Sequence, residues 1–392
     1  MKKSRILIYS HDSFGLGHLR RCRAIAHALV ERYKSLSVLI LTGSPIAGHF
    51  NFKARVDFVR IPGVIKLYNG EYTPLKLHIS LKETLALRES IILHTARIFE
   101  PDLFIVDKEP LGLKGEVAST LDMLATKRTR TILGLRDVMD DADRLSREWQ
   151  AKNALPALEN LYDEIWVYGS RNMGDPLTGL PVSATIHDKM LYTGYLPRHL
   201  PEHESSGLLE ELPESYLLVT PGGGGDGAEM VDWVLRAYES GAELPWPALI
   251  MLGPFMSTHE QEAFRLRAAP LPNVRVATFD TQFESLMNHA SAVVAMGGYN
   301  TFCEILSFDK PALLVPRTEP RMEQLIRARK AAALGLTTML DPAQLADTAP
   351  MVAALQRLPQ QPPPSAAARR NMLCGLRTIG NRVGAIVREN AS

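Results

Sequence analysis

Cysteine is scarce in this chain. Cys22, Cys303 and Cys374 are few, odd in number and lack the paired spacing of a zinc site or a disulfide framework. That usage fits a reducing compartment, and a cytosolic protein is expected. Net charge is equally scant: 44 Lys and Arg oppose 43 Asp and Glu, so no strong overall field calls for nucleic acid. No apolar run is long enough to span a bilayer. The basic start Met1-Lys2-Lys3-Ser4-Arg5 meets only Ile6-Leu7-Ile8-Tyr9 before Ser10, too short for the apolar part of a signal peptide.

What the chain does have is length and alternation. Its 392 residues exceed one usual core, which predicts two domains. Short β-branched runs alternate with stretches of helical period, the pattern of an α/β fold with parallel sheets. Strands are expected at 5–10, 37–42, 56–61, 102–106, 131–135 and 164–168, and in a second series at 216–220, 248–252, 274–278, 292–295 and 312–315. Between the series, Leu196 to Gly207 is rich in Pro, Ser and Glu and is the expected hinge. A second break, Pro359 to Ser365, precedes a helix-like stretch from Ala366 to about Arg388. The reading is α/β, two Rossmann-like doubly wound domains facing across a cleft. They span 1–200 and 215–357, with a linker at 201–214 and the segment 366–392 packing back on the first domain.

Each half opens with a strand followed by a glycine loop and a helix. The first loop is His11-Asp12-Ser13-Phe14-Gly15-Leu16-Gly17-His18. The second, Pro221-Gly222-Gly223-Gly224-Gly225-Asp226-Gly227, formally carries a dinucleotide fingerprint through Gly222, Gly224 and Gly227. A nicotinamide enzyme needs an acidic residue after the next strand to hold the ribose, and the chain there reads Met251-Leu252-Gly253-Pro254. Hydride chemistry is therefore disfavoured.

A third loop is the most informative. Met296-Gly297-Gly298-Tyr299-Asn300-Thr301-Phe302-Cys303-Glu304 follows an apolar strand and opens a helix. Paired glycines allow backbone to approach a diphosphate, Asn300 or Thr301 is expected to cap the helix, and its free N–H groups favour an anion. Glu304, one turn in, is placed to accept hydrogen bonds from a ribose hydroxyl pair; an ordinary strand-to-helix turn with a solvated glutamate gives the same letters. The strand at Pro311 to Pro316 then ends at Arg317, which together with Arg321 is suited to diphosphate oxygens or to surface pairs with Glu319 and Glu323.

These residues resemble the nucleotide-sugar glycosyltransferases of the GT-B fold, particularly the peptidoglycan N-acetylglucosaminyltransferase group and its bacterial relatives, the glycosyltransferase family 28 type. Gly297 to Thr301, Glu304, Pro311, Pro316, Glu323 and Gln324 stand at the spacing which that group uses for its donor. The resemblance implies Glu304 on the ribose, Gly297, Gly298, Asn300 and Thr301 on the diphosphate, and Gln324 on the donor sugar or phosphate. It implies base recognition by the backbone at Phe279, and places the loop of Gly222, Gly223, Gly224 and Gly225 beside the donor. The first loop has fewer glycines than the family's. It is also similar, through Gly15-Leu16-Gly17-His18-Leu19-Arg20-Arg21-Cys22, to the signature of the UDP-sugar hydrolase of the pseudaminic acid pathway.

His18 is the leading catalytic candidate, because it follows a glycine loop at the carboxyl end of a first strand, where ligands bind. In a transferase it would deprotonate an acceptor hydroxyl, in a hydrolase a water; a packing or capping histidine is the bland reading. His11, with Gly15 and Gly17, lies on the same acceptor-side loop. Asp107 and Glu109, after another strand, are alternative bases or a helix-start acidic cluster. Asp140-Asp141-Ala142-Asp143 reads as a solvated helix start, and neither metal nor other cofactor is expected. The stretch from Val64 to Lys82 interleaves apolar and basic residues. It is either a surface that meets a membrane or a core helix whose lysines reach out. The resulting expectation is an inverting, metal-independent glycosyltransferase. It would use a UDP-linked donor and an acceptor hydroxyl on a lipid-linked or polysaccharide acceptor, with no nucleic acid as partner. A nucleotide-sugar hydrolase and a non-catalytic nucleotide-sugar sensor are the alternatives.

Overall fold

Continuous apolar strands between amphipathic helices need cover on both faces, and each half of the chain meets that need with its own parallel sheet. The computed structural model describes residues 3–12, 17–66, 71–200, 207–223, 225–367 and 372–389. The chain divides into two compact units, Met1–Leu196 with Cys374–Ser392, and Pro197–Leu373.

In the first unit the strands are β1 (Ser4–Ser10), β2 (Leu36–Thr42), β3 (Val56–Arg60), β4 (Val64–Lys66), β5 (Tyr72–Pro74), β6 (Leu103–Asp107), β7 (Arg130–Arg136), β8 (Glu164–Tyr168) and β9 (Met190–Tyr192). The helices are α1 (Gly17–Arg32), α2 (Leu81–Phe99), α3 (Ala118–Ala125), α4 (Ala142–Ala151), α5 (Ala154–Asn160) and α6 (Ala184–Asp188). Seven strands form one parallel sheet in the order β3-β2-β1-β6-β7-β8-β9. The chain winds outward from β1 in one direction and from β6 in the other, so the topological switch point lies between them. Leu7, Tyr9, Phe104, Leu133, Trp149 and Ile165 belong to the core.

The second unit has β10 (Leu217–Thr220), β11 (Ala248–Met251), β12 (Val274–Ala277), β13 (Ala292–Ala295), β14 (Ala312–Leu314) and β15 (Thr338–Met339). With them run α7 (Ala228–Glu239), α8 (Thr258–Ala268), α9 (Phe283–His289), α10 (Tyr299–Ser307), α11 (Glu323–Ala333) and α12 (Ala349–Arg357). The parallel order β12-β11-β10-β13-β14-β15 repeats the plan of the first sheet, with its switch point between β10 and β13. Val219, Trp233, Ile250, Val294 and Leu313 belong to its core. A last helix, α13 (Gly375–Glu389), is part of the first unit: Tyr33 donates to the Gly380 carbonyl at 2.8 Å and Arg32 to Asn381.

Several local expectations need correction. The segment after Val64 is not a core helix: β4 and β5 pair antiparallel, Leu77 and Ile79 are exposed, and α2 begins only at Leu81, where Ser80 and Glu83 form a capping box. Leu67 and Tyr68 lie outside the described residues. The terminal helix starts at Gly375 rather than at 366, and Gly375 packs directly on the Gly194 and Tyr195 carbonyls, where no side chain fits. Strand β6 runs one residue later than expected: the Asp102 carboxylate accepts the Arg5 N–H at 2.8 Å, which leaves Asp102 outside the strand and brings Asp107 to its carboxyl end. No helix among the described residues is long and apolar enough to cross a membrane.

Candidate active site

In doubly wound sheets ligands bind outside the carboxyl ends of the strands at the switch point. In the first unit that place holds His18 and Asp107. Parallel register pairs Tyr9 with Val106, so the loop after β1 and the end of β6 lie side by side. Helix α1 begins at Gly17, and the Asp12 carboxylate accepts the Leu19 N–H at 3.2 Å, one of the donors a helix start leaves open. That brace puts His18 and Arg21, three residues apart on one helix face, over Asp107. His18 Nδ1 lies 2.5 Å from Asp107 Oδ2. Arg21 grips both oxygens of the same carboxylate, Nε to Oδ1 at 2.8 Å and Nη2 to Oδ2 at 2.7 Å.

The chemistry follows from donor and acceptor types. A carboxylate oxygen and an imidazole nitrogen can approach to 2.5 Å only with a proton between them, so Nδ1 carries it and Nε2 is left with its lone pair. Burial disfavours ionisation of Asp107, but the Arg21 and His18 charges outweigh it and hold the carboxyl well below the usual range. Burial lowers the pKa of His18, and Asp107 opposes that fall. The imidazole is therefore neutral near pH 7, and its side chain keeps 16 % exposure against 1 % for Asp107. A neutral, oriented and reachable nitrogen base results. Asp107 itself, enclosed and twice paired to Arg21, is unsuited to taking a proton from substrate, and it ends a strand rather than starting a helix.

Glu109 is likewise neutralised: burial raises its pKa, but Lys108, His11 and Lys152 together pull it well below the ordinary value, with Lys152 Nζ at 2.7 Å. His11 is buried, its ring 5.7 Å from that of His18, and burial lowers its pKa well below normal. Its Nδ1 is 3.4 Å from the Tyr9 hydroxyl, which donates to Glu116; Arg88 in turn grips Glu116 through two nitrogens. Gly15 lies outside the described residues. The acidic run acts as a helix start: Asp141 caps α4 by accepting the Arg144 N–H.

The second unit gathers the other predicted residues at its own switch point. The loop after β10 approaches the start of α10: a Cβ on Gly222, whose φ is +91°, would meet Thr301 Oγ1 at 3.9 Å. Gly223 and Gly225 are half-buried, and Gly224 lies outside the described residues. Gly297 takes φ +79°, a left-handed conformation that a side chain there would strain. Neither Asn300 nor Thr301 caps the helix. Gly298 is the N-cap, without a side-chain bond, and Asn300 Oδ1 instead accepts from Arg198 at 2.8 Å. Starting at Tyr299, the helix carries Glu304 just past its first turn. Because α10 is enclosed on nearly every side, Glu304 is fully buried in this structure.

After β14, Arg317 pairs with Asp226 and lies 3.2 Å from Glu323, while its backbone N–H donates to Gln324 Oε1 at 3.2 Å. Glu323 and Gln324 are buried at the first turn of α11. Phe279, in the loop after β12, is half exposed. Sequence reasoning missed Arg21, although it stands inside the quoted Gly-x-Gly-His-x-x-Arg motif, and it missed Arg327, which donates to the Gly297 carbonyl at 3.0 Å. For Arg21 the spacing to His18 was the available signal; for Arg327 a lone arginine on a helical face gave none.

Residues 224–377 match the glycosyltransferase family 28 C-terminal domain, and this match falls on the unit that holds the glycine-loop site. The chain is a glycosyltransferase. Solved structures agree on the fold. The calicheamicin glycosyltransferase CalG4 is similar over 100 % of both chains, at 16 % identity and a TM-score of 0.62. MurG of Acinetobacter baumannii is similar over 97 % of this chain and 99 % of its own, at 13 % identity and a TM-score of 0.61. A Listeria monocytogenes protein named as a UDP-N-acetylglucosamine 2-epimerase aligns over 100 % of this chain and 97 % of its own, at 12 % identity and a TM-score of 0.63. At such identities the likeness gives the GT-B fold of two Rossmann-like domains and not the reaction. No curated protein sequence matches the chain.

Proposed function

We propose that the protein moves a sugar from a UDP-linked donor to an acceptor hydroxyl, with inversion and without a metal, and that His18 is the general base. The observation that carries this reading is the 2.5 Å contact between His18 Nδ1 and Asp107, which leaves Nε2 as the proton acceptor. In the reaction the acceptor O–H gives its proton to Nε2 as its oxygen bonds to the anomeric carbon. The bond from that carbon to the diphosphate oxygen breaks on the opposite face, and the nucleoside diphosphate leaves with the electron pair. Asp107 stabilises the imidazolium that forms, as in other positioned histidine bases. The start of α10 and the glycines before it would stabilise the departing diphosphate, with Arg317 in support. Glu304 would bind the ribose, which requires its enclosed carboxylate to be uncovered when the donor enters. The exposed Leu77 and Ile79, with Lys76 and Lys82 nearby in sequence, suit peripheral contact with a membrane that carries a lipid-linked acceptor.

The same dyad would activate water, and the Gly-x-Gly-His-x-x-Arg-Cys motif, whose His18 and Arg21 both meet Asp107, favours hydrolysis as the second reading. The deciding experiment screens nucleotide sugars by thermal shift and then analyses products with and without candidate acceptors. Transfer that depends on an acceptor supports the proposal, free sugar without acceptor replaces it with hydrolysis, and binding without turnover replaces both with a sensor.

A further inference from the structure

Arg327 is wholly enclosed in the second unit. It lies on α11 three residues beyond Gln324, and its Nη1 donates to the Gly297 carbonyl at 3.0 Å. Its guanidinium also lies 5.9 Å from the centre of the Tyr299 ring, at the first residue of α10. The only cis peptide among the described residues is Glu319–Pro320, so the Gly297–Gly298 peptide is trans. In a trans peptide the carbonyl and the following N–H point in opposite directions. Fastening the Gly297 carbonyl to α11 therefore turns the Gly298 N–H away from α11. Gln324 braces the same spot: its Oε1 accepts the Arg317 N–H, and its Nε2 comes within 4.0 Å of where a Gly298 Cβ would stand.

We infer that Arg327 is a positioning residue of the diphosphate loop. It fixes the Gly297–Gly298 peptide so that the Gly298 N–H faces the anion, and a loop held in this way favours a nucleoside diphosphate over the bare nucleoside. This rests on the nucleotide-sugar reading proposed above. A residue that merely filled the core would, when replaced, weaken all ligands alike. Arg327 predicts a loss confined to the phosphates.

The test is calorimetry of UDP, uridine and inorganic pyrophosphate with the full chain, its Arg327→Met variant and its Arg327→Lys variant, each checked by thermal melting. Arg327→Met should weaken UDP and pyrophosphate about tenfold to a hundredfold, the worth of one to two charge-assisted contacts, and leave uridine within twofold. Arg327→Lys, which keeps the charge but not the planar fork, should fall between. If Arg327→Met does not fold, the lysine variant decides by the same ratio. An unchanged UDP-to-uridine ratio in the folded variants overturns the inference while leaving the nucleotide reading intact. A parent protein that binds neither UDP nor pyrophosphate overturns both. Pyrophosphate binding that depends on Arg327, without UDP binding, upholds the inference and removes the uridine assignment alone.

Discussion

Replacing Asp107 by Asn tests whether the contact between His18 and Asp107 is a working dyad or a packing detail. The perturbation is small in volume and large in chemistry. Arg21 now bonds both carboxylate oxygens, and its fixed charge will claim the single carbonyl oxygen of the amide. The amide NH2 is then turned toward His18 Nδ1, which must accept rather than donate. The ring proton moves to Nε2, and the nitrogen meant to receive the acceptor's proton is occupied. Loss of a correctly poised histidine base costs about 10²- to 10⁴-fold in turnover, or roughly 3–5 kcal/mol of transition-state free energy. Removing one partner of a buried ion pair also destabilises by about 3–5 kcal/mol, against a total of roughly 5–15 kcal/mol, so turnover must be expressed per folded molecule. Turnover at saturating donor, donor affinity by calorimetry and thermal melting, measured together, separate the two effects. The reasoning requires a large fall in turnover with donor affinity within threefold of the parent. A variant that melts earlier but turns over normally per folded molecule would refute it, and would reduce Asp107 to a structural anchor for Arg21.

Further outcomes are expected. His18→Ala should lower turnover about a hundredfold or more with little change in donor affinity, and the acid limb of the parent's pH–rate profile should lie below the ordinary histidine value near 6.5, because burial depresses His18; near-normal turnover with an unchanged profile excludes it as base. Glu304→Gln keeps shape but loses charge, so a ribose clamp predicts roughly tenfold weaker nucleotide binding in calorimetry, whereas a purely structural glutamate predicts a shifted melting temperature and unaltered affinity. Activity should survive EDTA and the double change Asp141→Ala with Asp143→Ala, apart from some stability lost with the α4 cap; activity that only added magnesium or manganese restores would contradict the metal-free mechanism. Stability should fall in acid, since Asp107 and Glu109 have folded pKa values below their ordinary ones: their contribution is complete above about pH 4.5 and is lost as pH drops toward the folded values. Asp12, raised by burial, works in the opposite sense. Urea melts between pH 7 and 3 should therefore show a slope that Asp107→Asn flattens, and an equal slope in the variant would remove Asp107 from that account.

The sheets were legible in the sequence because parallel strands buried on both faces are continuous apolar runs, and runs such as Ile6 to Tyr9 or Ala292 to Ala295, each followed by a glycine loop, read as such strands. Strands β9 and β15 were not legible: at three residues and two, they are too short to carry a period, and neighbouring strands define them. The start of α10 was misread for a physical reason. A side-chain cap is the commonest way to open a helix, and Asn300 advertises one, but Arg198 takes its oxygen and Gly298 serves with backbone alone.

The candidate base shows a different limit. His18 stood out because it follows a glycine loop at the carboxyl end of the first strand, where ligands bind, yet nothing in the sequence distinguished Asp107 as its partner from Asp107 as its rival. That distinction needed register. Strands β1 and β6 are adjacent only because the sheet reverses its winding there, and their parallel pairing brings the end of one beside the loop of the other. Once they are adjacent, the arginine three residues after the histidine separates the two roles, since a carboxylate held by a guanidinium stays ionised and accepts a hydrogen bond from the Nδ1 N–H, which leaves the proton on the ring. The proposed base thus draws on three residues from two segments 86 to 89 positions apart, and only its most conspicuous member can be read without the fold.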